Sequence, residues 1–93
     1  MIQKGSSENS LIRVEQFRAA RGLLGWSQTE LAARAGLSVP TVKRVEGGFG
    51  PAVSNAARMK LQMALEAAGI EFLEENGGGA GVRFRKPRNS KRR

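Results

Sequence analysis

The sequence predicts a mostly α-helical domain of four to five short helices, followed by a short C-terminal β-hairpin. Three observations predict it. Apolar residues recur at helical spacing between residues 10 and 69. Those runs are punctuated by serines that start helices (Ser27, Ser38, Ser54) and glycines that stop them (Gly36, Gly47 with Gly48, Gly69). After Gly69 the period shortens to that of strands, in IEFL and VRFR.

Ninety-three residues make one small domain. Such a chain buries about 60–65% of the surface its unfolded form exposes, so its core is thin and dimerisation would reinforce it. There is no Cys and no His, which removes disulfides, thiolates, imidazole bases and nearly every zinc site. No Ser/Lys or paired-carboxylate site is assembled from the remaining residues, so no catalytic residue, metal or cofactor is expected. No apolar run approaches the ~20 residues of a membrane span, and none follows the N-terminus as in a signal peptide.

The net charge of +8 is unevenly placed. Arg83, Arg85, Lys86, Arg88, Lys91, Arg92 and Arg93 stand in a stretch without acids, leaving residues 1–82 at +1. Basicity therefore describes a C-terminal tail, and any polyanion recognised by the body must be recognised by a local motif.

Residues 1–9 are polar, lack periodicity and are expected to be disordered. Ser10 is the expected cap of a first helix reaching Leu24, with Val14, Phe17 and Leu24 on its apolar stripe. Arg21 falls on that stripe too. The second helix starts at an S-x-x-E capping box, Ser27 and Glu30, flanked by Trp26 and Leu31 at staple positions. It ends at Ala35, where Gly36 can take the left-handed conformation. Its face of Leu31, Ala32 and Ala35 is small enough to let a neighbour approach closely. Ser38 caps a third helix reaching Val45 or Glu46, and Pro40 is tolerated in its first turn. Val42 and Val45 face inward with Leu37, which leaves Val39, Pro40, Thr41, Lys43 and Arg44 outward or sideways. A loop, FGPAV, follows.

The fourth helix is expected from Ser54 to Ala68, stopped by Gly69. Asn55, Arg58, Gln62 and Glu66 form its polar stripe, and Ala57, Leu61, Ala64, Leu65 and Ala68 its buried face. Met59, Met63 and Ala67 make a further apolar strip suited to a subunit interface. Strands are expected at about Ile70–Glu74 and Val82–Lys86, with Ile70, Phe72, Val82 and Phe84 on one side. A lone two-stranded ribbon is marginal in water, so it must pack on the helices or on a twin. The domain organisation is thus a disordered segment 1–9, a helical domain 10–69, a hairpin 70–86 that is a candidate dimerisation element, and a basic disordered tail 87–93.

From Trp26 to Gly48 two capped helices with complementary apolar faces are joined by a tight turn, which is the pattern of a helix-turn-helix. The residues Arg21, Ser27, Gln28, Glu30, Leu31, Ala32, Ala35, Gly36, Ser38, Val42, Glu46 and Gly48 resemble the phage-repressor (Cro-like, XRE) helix-turn-helix family over about residues 11–69. The resemblance implies that Gln28 contacts a DNA phosphate and that Ser38, Val39, Pro40, Thr41, Lys43 and Arg44 lie where the family reads bases and neighbouring phosphates. Val39-Pro40 departs from relatives with polar side chains there. An apolar pair suits thymine methyl groups, which leaves polar readout to Lys43 or Arg44. The family's fifth helix is replaced by the glycine loop and strands.

Arg21 and Glu46 are also paired on physical grounds. One is a charge on an apolar face, and the other a carboxylate opposing the dipole at a helix C-terminus. The same ion pair is implied by the resemblance. Gly77, Gly78, Gly79 and Gly81 lack the GK[ST] ending and the following helix of a phosphate loop, so they read as a hairpin turn. Trp26 reads as a staple and the methionines as core or interface. The tail has two readings, a solvated end or an arm along DNA phosphates.

The function expected is a dimeric, sequence-specific regulator, a repressor in its simplest form, whose third helix enters the major groove of a pseudo-palindromic operator. Its partners would be double-stranded DNA and a second copy, with no membrane. Its location would be cytoplasmic, in a bacterial or phage setting and on the nucleoid through DNA. The competing readings are a protein-interaction module, such as an antitoxin or adaptor on the same fold, and a nonspecific DNA-packaging protein.

Overall fold

The computed structural model describes residues 12–48 and 53–87. They contain four helices, α1 (Val14–Leu24), α2 (Gln28–Ala35), α3 (Val39–Gly47) and α4 (Asn55–Ala67). Strands β1 (Ile70–Leu73) and β2 (Gly81–Phe84) form one antiparallel hairpin. This is the mostly helical class the sequence predicts, without a fifth helix among the described residues. The expectations for residues 1–9, for Ser10, for positions 49–52 of the loop and for 88–93 of the tail lie outside the described residues.

α1 begins at Val14, later than a cap at Ser10 implies. Gln16 supplies the start signal instead, its Oε1 accepting from the Arg13 amide at 2.8 Å. That is the reach-back half of a capping box, with Gln16 in the role. At α2 the opposite half forms. The Glu30 amide donates to Ser27 Oγ at 3.0 Å, but the Glu30 carboxylate turns away from Ser27 and accepts from Arg34 Nε at 2.6 Å. The i, i+4 pair with Arg34, in which both partners are charged, takes the place of the carboxylate bond to the cap amide. Arg34 also lies 4.7 Å over the half-buried Trp26 ring, which packs against the core.

Ser38 caps α3 by accepting from the Thr41 amide at 3.2 Å, with Pro40 in the first turn. The helix runs through Gly47, slightly beyond its expected end, and Gly48 closes it at φ 70°. A side chain at that φ would be strained, and its Cβ would lie 3.7 Å from the Val14 side chain. Ser54 caps α4 through the Ala57 amide. α4 ends at Ala67, with Ala68 as its cap, one residue earlier than expected.

The core comprises Phe17 and Ala20 from α1, Leu31 and Ala32 from α2, Val42 and Val45 from α3, Leu61 and Leu65 from α4, and Ile70 from β1. Ala32 and Ala20 are nearly inaccessible, so small side chains do bring the helices together. Arg58, assigned to a polar stripe, instead sits 5.4 Å over the Phe17 ring and donates to the Ile12 carbonyl.

Ile70 pairs with Phe84 and Phe72 with Val82, so the four apolar strand residues share the side that packs on the helices. Phe72 meets Phe17 edge to face, with centroids 6.0 Å apart. The strands are shorter than expected, stopping at Leu73 and Phe84, and β2 begins at Gly81. Gln16 explains the near end. It is only 5% exposed, and its Nε2 donates to the carbonyls of Leu73 (3.2 Å) and Gly81 (2.9 Å). One buried amide therefore starts α1 and ties the mouth of the hairpin loop to it. Glu75, in that loop, pairs with Arg13 at 2.9 Å, and this bond raises the Arg13 pKa above its ordinary value. Met59 and Met63 remain exposed on α4 (48% and 60%), as the strip they form implied.

Candidate nucleic-acid interface

α2 and α3 are joined by the short link Gly36-Leu37-Ser38. Gly36 adopts φ 71°, and the Leu37 amide donates back to the Ala32 carbonyl at 2.9 Å. Left-handed glycine and a back-bonded following amide turn the chain sharply at the end of α2. Val42, Val45 and Glu46 form the buried side of α3.

The other side presents the residues predicted for DNA readout, with differences in exposure. Pro40, Lys43 and Arg44 are exposed, as is Ser38 at the cap. Lys43 and Arg44 enter none of the ion pairs among the described residues. Thr41 is half-buried, and its Oγ1 lies 2.9 Å from Ser38 Oγ. Ser38 and Thr41 hydroxyls are thus partly occupied with each other. Val39 takes the sideways placement of the two expected, since it is half-buried and packs against the core. Pro40 is the fully exposed apolar group in this part of α3.

Glu46 is 2% exposed and fully engaged. Arg21 grips its carboxylate with Nε to Oε2 and Nη2 to Oε1, each at 2.9 Å. Arg21 Nη1 also donates to the Trp26 carbonyl at 3.0 Å. The ion pair expected from sequence is therefore present, and it is bidentate. Gln28 adds a third bond, its Nε2 donating to Glu46 Oε1 at 3.0 Å. Arg18 Nη1 donates to the Glu46 main-chain carbonyl. Three side chains from α1 and the first turn of α2 converge on the last turn of α3. The cations offset a carboxylate that opposes the helix dipole, and the hydrogen bonds compensate its burial.

Gln28 was assigned to a phosphate, and the network qualifies how it would act. A carboxamide has two N–H donors, and one is spent on Glu46. The other remains at the N-terminus of α2, held in place by the first. Arg18 and Gln16 were missed in the sequence as functional or organising residues. Both carried a signal. Gln16 is a polar residue four positions before Ala20 on the buried side of α1, and Arg18 stands one turn before Arg21.

Residues 17–59 match a protein-family model described as helix-turn-helix. No curated protein matches the chain.

Proposed function

We propose that this chain, which through residues 17–59 belongs to the phage-repressor-like helix-turn-helix family of DNA-binding regulators, recognises a specific operator with α3 in the major groove. One observation carries the proposal. α3 presents Pro40, Lys43 and Arg44 to solvent, with Lys43 and Arg44 in no ion pair among the described residues, while its opposite side is locked to α1 and α2 through Glu46. A helix held that firmly can hold its exposed side chains in register with base edges, where Arg or Lys pairs with guanine and an apolar group meets thymine methyl. Gln28 and Ser38 serve placement on phosphates, and Thr41 stands at the margin of the patch.

Because residues 1–82 carry only +1, this patch must do more than attract a polyanion. The helical unit 10–69 reads DNA, and the hairpin 70–86 buttresses it. The basic tail 87–93 adds sequence-independent attraction. A dimer places two copies of α3 about 34 Å apart in successive major grooves, and repression follows from occluding polymerase. No helix among the described residues is long and apolar enough to cross a membrane.

The test is competition binding with Lys43→Ala and Arg44→Ala. Each is expected to lower the preference for operator over scrambled duplex by about 1–3 kcal/mol, with little change in melting temperature. Equal losses on both duplexes would reassign these residues to backbone contacts. Light scattering of the complex is expected to give two chains per operator duplex.

A further inference from the structure

We infer that Arg18 is a phosphate-binding residue, a second backbone contact that flanks the C-terminal end of α3 beside Gln28. This rests on the DNA-binding reading above. Arg18 lies on the exposed side of α1, yet its guanidinium is anchored, because Nη1 donates to the Glu46 carbonyl in the last turn of α3. No carboxylate among the described residues pairs with it, whereas Arg13, Arg21, Arg34 and Arg83 each have one. It also converges with Gln28 on one residue. Glu46 holds Arg18 through its main chain and Gln28 through its side chain.

The chemistry follows from donor counts. A guanidinium carries five N–H groups in a rigid fork, and Glu46 uses one edge of it. The remaining donors match two oxygens of a phosphodiester, and a fork already oriented loses less freedom on binding. Gln28 brings a neutral donor to the same end of α3, and Arg18 adds a positive charge beside it. A different role is also chemically sensible, since an arginine on a terminal carbonyl stabilises a helix C-terminus. The two roles move different observables.

The experiment uses the full chain in equilibrium anisotropy titrations, across a salt series, on a labelled mixed-sequence duplex and on a duplex enriched from a random pool. Arg18→Gln keeps an N–H donor for the Glu46 carbonyl and removes the charge. It is expected to make the slope of log affinity against log salt shallower by about 0.9 on both duplexes, which over a fourfold change in salt is about a threefold difference. Sequence preference and melting temperature stay as in the parent chain, and Arg18→Lys restores the slope. Lys60→Gln, which removes an exposed cation from α4, leaves the slope unchanged. An unaltered slope in Arg18→Gln, or a change matched by Lys60→Gln, overturns the assignment. So does a lowered melting temperature with the parent slope, which is the capping outcome. A parent chain without measurable duplex affinity overturns the DNA-binding reading as well. A parent chain that prefers its enriched duplex while Arg18→Gln keeps its slope overturns the Arg18 assignment alone.

Discussion

Glu46 ties α3 to both α1 and α2 through one side chain. It is buried, bound bidentately by Arg21, and shared with Gln28. Glu46→Ala is expected to destabilise the fold by about 3 kcal/mol, because it leaves a guanidinium facing an apolar core. In a domain of this size that lowers the melting temperature by roughly 10–20 °C. The double variant Arg21→Ala/Glu46→Ala is expected to lose less than the two single losses added together, since removing both charges leaves neither stranded. A thermal-denaturation cycle checks both statements, and an unchanged melting temperature in Glu46→Ala would refute the first. The pair was legible in the sequence because each partner broke a local rule. The contribution of Gln28 to it was not, since a Gln at a helix start is ordinary and its amide direction depends on tertiary placement.

Among the elements, the hairpin depends on α1 in a way its own sequence does not disclose. The alternation in IEFL and VRFR shows which four residues face the helices, and the register places them together. Nothing in those strands announces that the bonds at the loop mouth are completed by Gln16 from more than fifty residues away. Gln16→Leu keeps bulk but strands the carbonyls of Leu73 and Gly81. A cost of about 1–3 kcal/mol is expected, with hydrogen exchange accelerated first in residues 70–84. Uniform acceleration through all four helices would show instead that the hairpin has no separate stability. α3 has its own prediction. With Val39 half-buried, Pro40 is the fully exposed apolar group, so replacing an operator thymine by uracil is expected to weaken parent binding and to have less effect on Pro40→Ala. Equal effects in both chains would remove that contact. Where a serine cap and a glycine stop coincide, at α2, α3 and α4, the helix boundaries are legible to within about a residue. At α1 the end at Leu24 is legible and the start is not, because the start signal is a Gln acting backwards along the chain. Capping residues act locally, and local chemistry is what a sequence displays.

At the scale of the whole molecule the charge distribution separates two kinds of attraction. The body is close to neutral, and the excess charge lies at the C-terminal end. Deleting residues 88–93 is expected to flatten the salt dependence of binding while keeping operator preference, since four cations leave and no base contact does. An unchanged slope would take the tail out of DNA binding. The proposed dimer belongs to this scale too, because a single α3 spans too few base pairs to define a rare site and a twofold pair would define two half-sites. The central claim is that α3 reads sequence, and selection of bound duplexes from a random pool at near-physiological salt tests it most directly. The account predicts a twofold-symmetric consensus with half-site centres about 10 base pairs apart. Binding that enriches no sequence would contradict it.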